Sequence, residues 1–215
     1  MNSTFIFFTR LNLVEMLGRS ACTLSDLLDG IRTIPGSSVY YHTHRFLQQH
    51  HYLSPEPPND FAFWVTQSLG LDALGEKLSS IDTVQFRRLS DLREAFIRIL
   101  AAFLEEQPSA LAACPEGEEF HFMSCRTFIL PTQKQAATIR EFVEILKTIS
   151  VDSLYFHMFE SRLHLERGDN DFSVWFADRG LDKLAQDIAR LDPYTITLEG
   201  LRNKIIRLVN PYAKD

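Results

Sequence analysis

Apolar residues recur at helical spacing in two segments of the chain that start 115 residues apart. Residues three and four positions apart share one face of a helix, so each segment predicts an amphipathic helix with one buried face. Thr23 and Thr138 stand immediately before the segments, at the position of N-cap residues. Helices are therefore predicted over residues 24–34 and 139–149. The apolar positions are Leu24, Leu27, Leu28, Ile31 and Ile34, then Ile139, Phe142, Val143, Leu146 and Ile149.

Extended segments precede both helices. Residues 5–9 and 120–125 are predicted to form opening strands. A second extended stretch is predicted over residues 127–130, ended by Pro131. Its counterpart in the first half, residues 11–17, fits a strand and a helix equally well.

The same order of elements is predicted after each amphipathic helix. In the first half, Pro35 and Gly36 break the chain before a second helix over residues 38–52. Asn59 and Asn170 are predicted N-caps of a third helix. The remaining predictions are Gly70 and Gly180 as the end of that helix, a fourth helix, a short extended piece at 83–86 and 194–197, and a final helix.

The two halves also share individual residues, and the two tryptophans of the chain, Trp64 and Trp175, fall on the same repeat position. This self-similarity predicts an α+β, mostly α-helical protein made of two tandem strand-plus-helices units related by a pseudo-twofold axis. The predicted ranges are repeat unit 1 at 1–106, a Pro-containing linker at 107–118 and repeat unit 2 at 119–215. If the opening strands pair, the units share one small central sheet and fold as one body; otherwise they are two adjacent domains. We favour the shared body because an isolated hairpin is marginally stable.

Charge and composition narrow the functional classes. Each half carries −3, with 9 Lys and Arg against 12 Asp and Glu before residue 108 and 13 against 16 after it. Nucleic-acid binding is disfavoured because it depends on neutralising phosphates. The three cysteines have no paired spacing, which argues against a disulfide framework or a structural zinc site. Since the sequence shows neither a signal peptide nor a membrane-spanning segment, we expect a cytoplasmic protein that does not bind membranes.

Five pairs of recurring residues form the candidate site. They are Tyr40 and Tyr155, His42 and His157, Asp60 and Asp171, Trp64 and Trp175, and Arg93 and Arg202. The two histidines could face each other across the axis and bind a metal or share a proton. The favoured interpretation is structural, with each histidine hydrogen-bonded inside the core, and no metal or cofactor is predicted.

The aspartates and arginines of this set have similar alternatives. Asp60 and Asp171 each precede a tryptophan by four residues, which suits a general acid beside a stacking platform but also ordinary capping and packing. Arg93 and Arg202 are predicted to form inter-helix ion pairs with Asp82 and Asp192, or with Asp60 and Asp171.

Five long segments of this sequence are distinctive, and they are Tyr40 to Leu47, Pro57 to Val65, Ser153 to His157, Gly168 to Trp175 and Leu191 to Arg202. They resemble an uncharacterised prokaryotic family, domain of unknown function 5752, over nearly the whole chain. The resemblance implies a bacterial or archaeal cytoplasmic protein and implies no activity, site or ligand.

Two functional hypotheses remain. The first is a non-catalytic interaction or scaffold protein that binds a protein partner or a second copy of itself, since motifs of catalysis are absent and the helices are rich in aromatic residues. The alternative is an enzyme or small-molecule-binding protein with a pocket between the two repeat units, since polar and aromatic residues recur in both.

Overall fold

The computed structural model describes residues 4–45, 58–107, 113–161, 169–192 and 196–213. Within these ranges the chain forms two β-strands and ten α-helices, the α+β and mostly helical composition that the sequence predicts. Three predictions lie partly outside the described residues: the end of the second helix, residues 108–112 of the linker, and the extended piece at 194–197.

The two strands are longer than predicted and pair with each other. Strand β1 spans Phe5–Ala21 and strand β2 spans Phe120–Ala136, and they form a two-stranded antiparallel sheet. Residues 11–17 are therefore strand. The prediction that Pro131 ends an extended stretch is wrong, because Pro131 lies inside β2. A two-stranded sheet gives each strand an outer edge, where the missing N–H of proline removes no ladder hydrogen bond.

Five α-helices follow β1 among the described residues. The second of them continues into a π-helical turn at Tyr41–Arg45, where Thr43 Oγ1 donates to the carbonyl of Val39 at 2.7 Å. A 3₁₀ turn occupies Thr83–Gln85, so the prediction of an extended piece there is wrong. The helices are α1 Leu24–Thr33, α2 Gly36–Tyr40, α3 Asp60–Gln67, α4 Asp72–Ser79 and α5 Leu89–Glu106.

In the part of the chain that the structure describes, five more α-helices follow β2 in the same order. Here the π-helical turn is Phe156–Glu160, and Ser161 Oγ donates to the carbonyl of His157. A 3₁₀ turn at Asn210–Tyr212 follows the last helix. The helices are α6 Ile139–Leu146, α7 Val151–Tyr155, α8 Asp171–Ala177, α9 Asp182–Ala189 and α10 Leu198–Val209.

The predicted helix starts are confirmed. Thr23 and Thr138 form capping boxes at α1 and α6, and Asn59 and Asn170 cap α3 and α8 through their side-chain oxygens. Each oxygen accepts a backbone N–H that would otherwise lack a partner in the first turn. After α3 and α8 the chain turns at the two predicted glycines, which have positive φ angles of 66° at Gly70 and 73° at Gly180.

The chain divides into two compact units, each with its own core. Among the described residues, one unit comprises residues 4–11 and 127–213, and the other comprises residues 12–45 and 58–126. In the first, Phe5 and Phe7 at the start of β1 pack against Phe142 of α6 and Phe172 of α8. We call this unit the C-terminal-helix unit, because it holds α6 to α10.

The other unit, which we call the N-terminal-helix unit, is built in the same way. Phe120 and Phe122 at the start of β2 join the buried cluster formed by α1, α3, α4 and α5. Gly30 of α1 lies against the ring of Phe122, and a Cβ at this position would overlap that ring. Each set of helices is thus completed by the opening residues of the strand that begins the other half of the sequence. The repeat ranges 1–106 and 119–215 stay a prediction.

Candidate functional site

His42 lies in the π-helical turn after α2 and is almost fully buried. Its Nδ1 is 2.8 Å from Oδ2 of Asp60, the first residue of α3. Its Nε2 accepts the backbone N–H of Met123 in β2 at 2.9 Å. The aromatic rings of Phe61 and Phe120 lie against the imidazole. The histidine therefore ties a helix start and a strand to the π-helical turn.

His157 makes the same set of contacts in the C-terminal-helix unit. Its Nδ1 is 2.8 Å from Oδ2 of Asp171, and its Nε2 accepts the backbone N–H of Phe8 in β1 at 2.8 Å. Phe5 and Phe172 pack on its ring. The histidine and aspartate that recur in the sequence are thus brought together in each unit.

The hydrogen bonds define the protonation of both imidazoles. Because Nε2 accepts a backbone N–H, the ring proton lies on Nδ1 and is donated to the aspartate, which leaves the histidine neutral. Both nitrogens are engaged, so neither has a lone pair available for a metal or for a substrate proton. Within the described residues, no group of three or more His, Cys, Asp or Glu is arranged to hold a metal ion. This geometry agrees with the structural interpretation of the two histidines.

The two tryptophans are buried beside these pairs but differ in their neighbours. The indole Nε1 of Trp64 donates to the carbonyl of Glu118 at 2.6 Å. Trp175 stacks on Phe142 with a ring-centroid distance of 5.2 Å, and the guanidinium of Arg179 lies 3.8 Å from its ring centroid. Trp64 therefore holds the segment that leads into β2, whereas Trp175 packs against an aromatic ring and a guanidinium.

The predicted ion pairs of Arg93 and Arg202 are wrong. Arg93 donates to the carbonyls of Arg32 and Ile34, and Arg202 donates to the carbonyls of Leu146 and Ile149. These carbonyls lie at the ends of α1 and α6, where the last turn of a helix leaves acceptors without partners. Arg202 also pairs with Glu199 on its own helix. The two arginines therefore serve as side-chain caps for the first helix of each unit.

The two tyrosines lie against charged or polar neighbours. Tyr40 stacks on His44 with 5.3 Å between ring centroids. The guanidinium of Arg10 lies 5.0 Å from the ring centroid of Tyr155 and forms a 2.5 Å ion pair with Glu160, and both charged side chains are 1% exposed.

Sequence reasoning missed the buried pair of Arg10 and Glu160. The candidate set was restricted to residues that recur in both halves, and the repeat positions of this pair are occupied by Cys125 and Arg45. An arginine within the apolar opening strand is the one signal that could have identified it, because buried charges are paired.

A cleft of about 450 Å³ opens within the C-terminal-helix unit. It contains three predicted site residues, His157, Asp171 and Trp175, whereas the other seven do not line it. The described residues that line it come from both predicted repeat ranges, residues 4–8 of the first and residues 129–178 of the second, and all of them belong to one compact unit. The lining residues are Thr4, Phe5, Ile6, Phe8, Ile129, Phe156, His157, Ser161, Asp171, Val174, Trp175 and Asp178.

The middle of each strand carries exposed apolar side chains. In β1 these include Leu13, at 53% exposure, and Met16, at 66%. In β2 three consecutive residues, Phe128 to Leu130, are exposed. Because successive side chains of a strand point to opposite faces, both faces of each strand are apolar and open to solvent at this level.

The fold and these contacts define a mostly helical α+β protein with a long two-stranded sheet and two buried histidine–aspartate pairs. The chain belongs to the family of unknown function DUF5752, whose profile matches residues 2–210. It is similar to the structure of OrfY from Thermoproteus tenax, with 27% sequence identity and a TM-score of 0.81 over 97% of this chain and 95% of that chain. No curated protein matches the sequence. Among the described helices, none has the length and apolar character needed to cross a bilayer.

Proposed function

We propose that the protein is a non-catalytic interaction protein that binds another protein chain through the middle of its two strands. The observation that carries this proposal is the exposure of Leu13, Val14 and Met16 on β1 and of Phe128 to Leu130 on β2. Contiguous exposed apolar side chains mark interaction surfaces in soluble proteins.

The strand geometry supports the same function. Among the described residues, each strand pairs only with the other strand of the sheet, and an exposed apolar edge is a template for pairing with another chain. Two-stranded sheets without a covered face are also marginally stable in water. A bound chain would cover the apolar side chains and supply backbone partners, as in strand addition. A second copy of this protein is the first partner to test, because it presents the same edges.

Light scattering coupled to size exclusion tests this proposal. The wild-type protein is expected to show a concentration-dependent mass above that of one chain, and Leu13→Lys with Met16→Lys is expected to abolish the increase. Tyr212→Lys is the matched control, since Tyr212 is also apolar and exposed but lies in the last 3₁₀ turn. If the protein does not self-associate, a photo-crosslinking amino acid at position 13 is used in the native host to capture a different protein partner. A monomer without a crosslinked partner contradicts the proposal.

We also propose that the chain arose by an internal duplication. In support, His42 with Asp60 and His157 with Asp171 make matching hydrogen bonds, and Arg93 and Arg202 cap matching helix ends at Ile34 and Ile149. Two copies related by a pseudo-twofold axis, with repeat ranges 1–106 and 119–215, account for this correspondence. We further propose a prokaryotic, cytoplasmic protein, in line with the similarity to a protein of Thermoproteus tenax.

The cleft of the C-terminal-helix unit favours a second function, the binding of a small molecule. Its volume is in the range of about 300–1,000 Å³ that is usual for ligand pockets. The engaged imidazole of His157 argues for binding over catalysis, because it has no free nitrogen for proton transfer.

A further inference from the structure

The cleft combines apolar walls with carboxylates. Seven of its twelve lining residues are apolar, and these include the aromatic rings of Phe8 and Phe156. Phe156 is buried and Trp175 is already stacked with Phe142 and Arg179, so the half-buried Phe8 is the aromatic ring most open to a ligand. Asp171 and Asp178 lie in the same wall, and none of the described lining residues is a lysine or an arginine.

The negative charge of Asp171 is not neutralised by its neighbour. His157 donates to Oδ2 of Asp171 from a neutral ring, because its other nitrogen accepts the backbone N–H of Phe8. The Asp171 side chain is 25% exposed and lines the cleft. A charge held against apolar walls is poorly solvated and attracts a cation more strongly than a charge in open water.

Arg179 lies next to this site, and its described electrostatic partner is Asp178 and not Asp171. It is the next residue after Asp178, and its guanidinium is held by the ring of Trp175 and by the carbonyl of Ala137. Burial lowers the pKa of Arg179, and the charge of Asp178 opposes this shift, which shows that the two groups interact. Asp171 therefore remains the acceptor within the cleft.

We propose that this cleft binds a small organic cation with an apolar body, whose ammonium group contacts Asp171 and whose body lies against Phe8, Phe156 and Val174. Cations are attracted to aromatic rings, and the carboxylate adds a charged hydrogen-bond acceptor. An anion is repelled by both aspartates, and a neutral ligand would cover Asp171 without offering it a counter-charge. This proposal rests on the second candidate function, ligand binding, and adds the chemical class of the ligand. It does not depend on strand-mediated association.

Isothermal titration with three ligands of one shape tests the charge preference. The probes are 2-phenylethylammonium, 2-phenylethanol and phenylacetate at pH 7. The ammonium ion is expected to bind at least about tenfold more tightly than the alcohol, a difference of about 1.4 kcal/mol, and phenylacetate is expected not to bind. Equal binding of the ammonium ion and the alcohol would overturn the cation proposal and leave ligand binding intact. Absence of binding by all three probes would overturn both.

A matched pair of variants locates the site. Asp171→Asn keeps an oxygen that accepts from His157 but removes the charge, and it is expected to weaken ammonium binding about tenfold. Asp60→Asn makes the same change next to His42 in the N-terminal-helix unit, away from the cleft. It is expected to leave the affinity unchanged while altering thermal stability as much as Asp171→Asn does. Equal losses of affinity in the two variants, or none in either, would overturn the proposal.

Discussion

At the scale of single residues, the capping box of α1 provides a test of local electrostatics. The Asp26 side chain accepts from the hydroxyl and backbone N–H of Thr23, and these hydrogen bonds hold the pKa of Asp26 below its ordinary value. The carboxylate therefore stabilises the fold fully above the ordinary pKa. This contribution is lost as the pH falls through the lower pKa of the folded state.

We expect Thr23→Ala to lower the free energy of unfolding by about 1 kcal/mol at pH 7. Asp26→Asn should flatten the decline of stability between pH 5 and pH 2, roughly the range over which a carboxylate with a lowered pKa loses its contribution. Urea denaturation across this range measures both effects. Asp29→Asn is the control, because Asp29 pairs with Arg32 at the surface, where an ion pair contributes little. A pH profile of Asp26→Asn parallel to the wild type would contradict the expectation.

The same scale shows why some residue roles were predictable. Four residues act as caps on backbone groups three positions later, so the adjacent sequence is enough to predict this role. They are Thr23, Thr138, Asn59 and Asn170. Arg93 binds carbonyls about 60 positions earlier in the chain. Because every residue has a backbone carbonyl, the sequence does not show which carbonyls Arg93 binds. A role that depends on long-range backbone acceptors therefore has no signature in residue types.

At the scale of elements, helices were easier to predict than strands. A helical face repeats within one segment, whereas the strand character of residues 11–17 depends on pairing with β2, more than 100 positions away. Pro131 was predicted to end a strand because proline is unfavourable inside strands. The outer edge of a two-stranded sheet accommodates this residue. The residues that line the cleft could not be identified from the sequence for a related reason. Its walls combine the start of β1 with α8, and this combination follows only from the tertiary fold.

The segment between α5 and β2 is attached to the end of β1 through two cysteines. The backbone N–H of Cys114 donates to the carbonyl of Cys22 at 2.8 Å, and both thiols are free and half-buried. Burial is the largest cause that raises the pKa of the Cys114 thiol, and the nearby Cys22 is the second. A side-chain hydrogen bond with Cys22 also raises this pKa, so the two thiols are neighbours, as a disulfide requires.

We expect oxidised glutathione to convert Cys22 and Cys114 to a disulfide. The two thiols lose two protons and two electrons, and one glutathione disulfide becomes two thiols. Intact-mass measurement should show a loss of about 2 Da, faster at higher pH because the thiolate attacks. The bond should raise stability by about 4 kcal/mol by closing a long loop. Cys22→Ser should abolish the mass loss, whereas Cys125→Ser should not. Oxidation that requires denaturant would contradict the expectation.

At the scale of the whole molecule, the opening residues of each strand complete a core built by helices from the other half of the sequence. Phe5 and Phe7 pack against α6 and α8, and Phe120 and Phe122 pack in the cluster with α1 and α3. Under the proposed duplication these two phenylalanine pairs are equivalent. A protein of one repeat unit would then need a second copy to supply its missing strand, which is how domain swapping produces dimers.

We therefore expect a polypeptide of residues 119–215 to form a helical dimer in which each Phe120 and Phe122 fills the site of Phe5 and Phe7 in the other copy. Light scattering gives the mass and circular dichroism gives the helix content. Phe122→Asp should prevent folding by placing a charge in the core, and residues 137–215, which lack β2, should also remain unfolded. A folded monomer would show that strand exchange is not needed to complete the core. An unfolded 119–215 chain would show that Phe120 and Phe122 cannot replace Phe5 and Phe7, which contradicts the equivalence of the two halves.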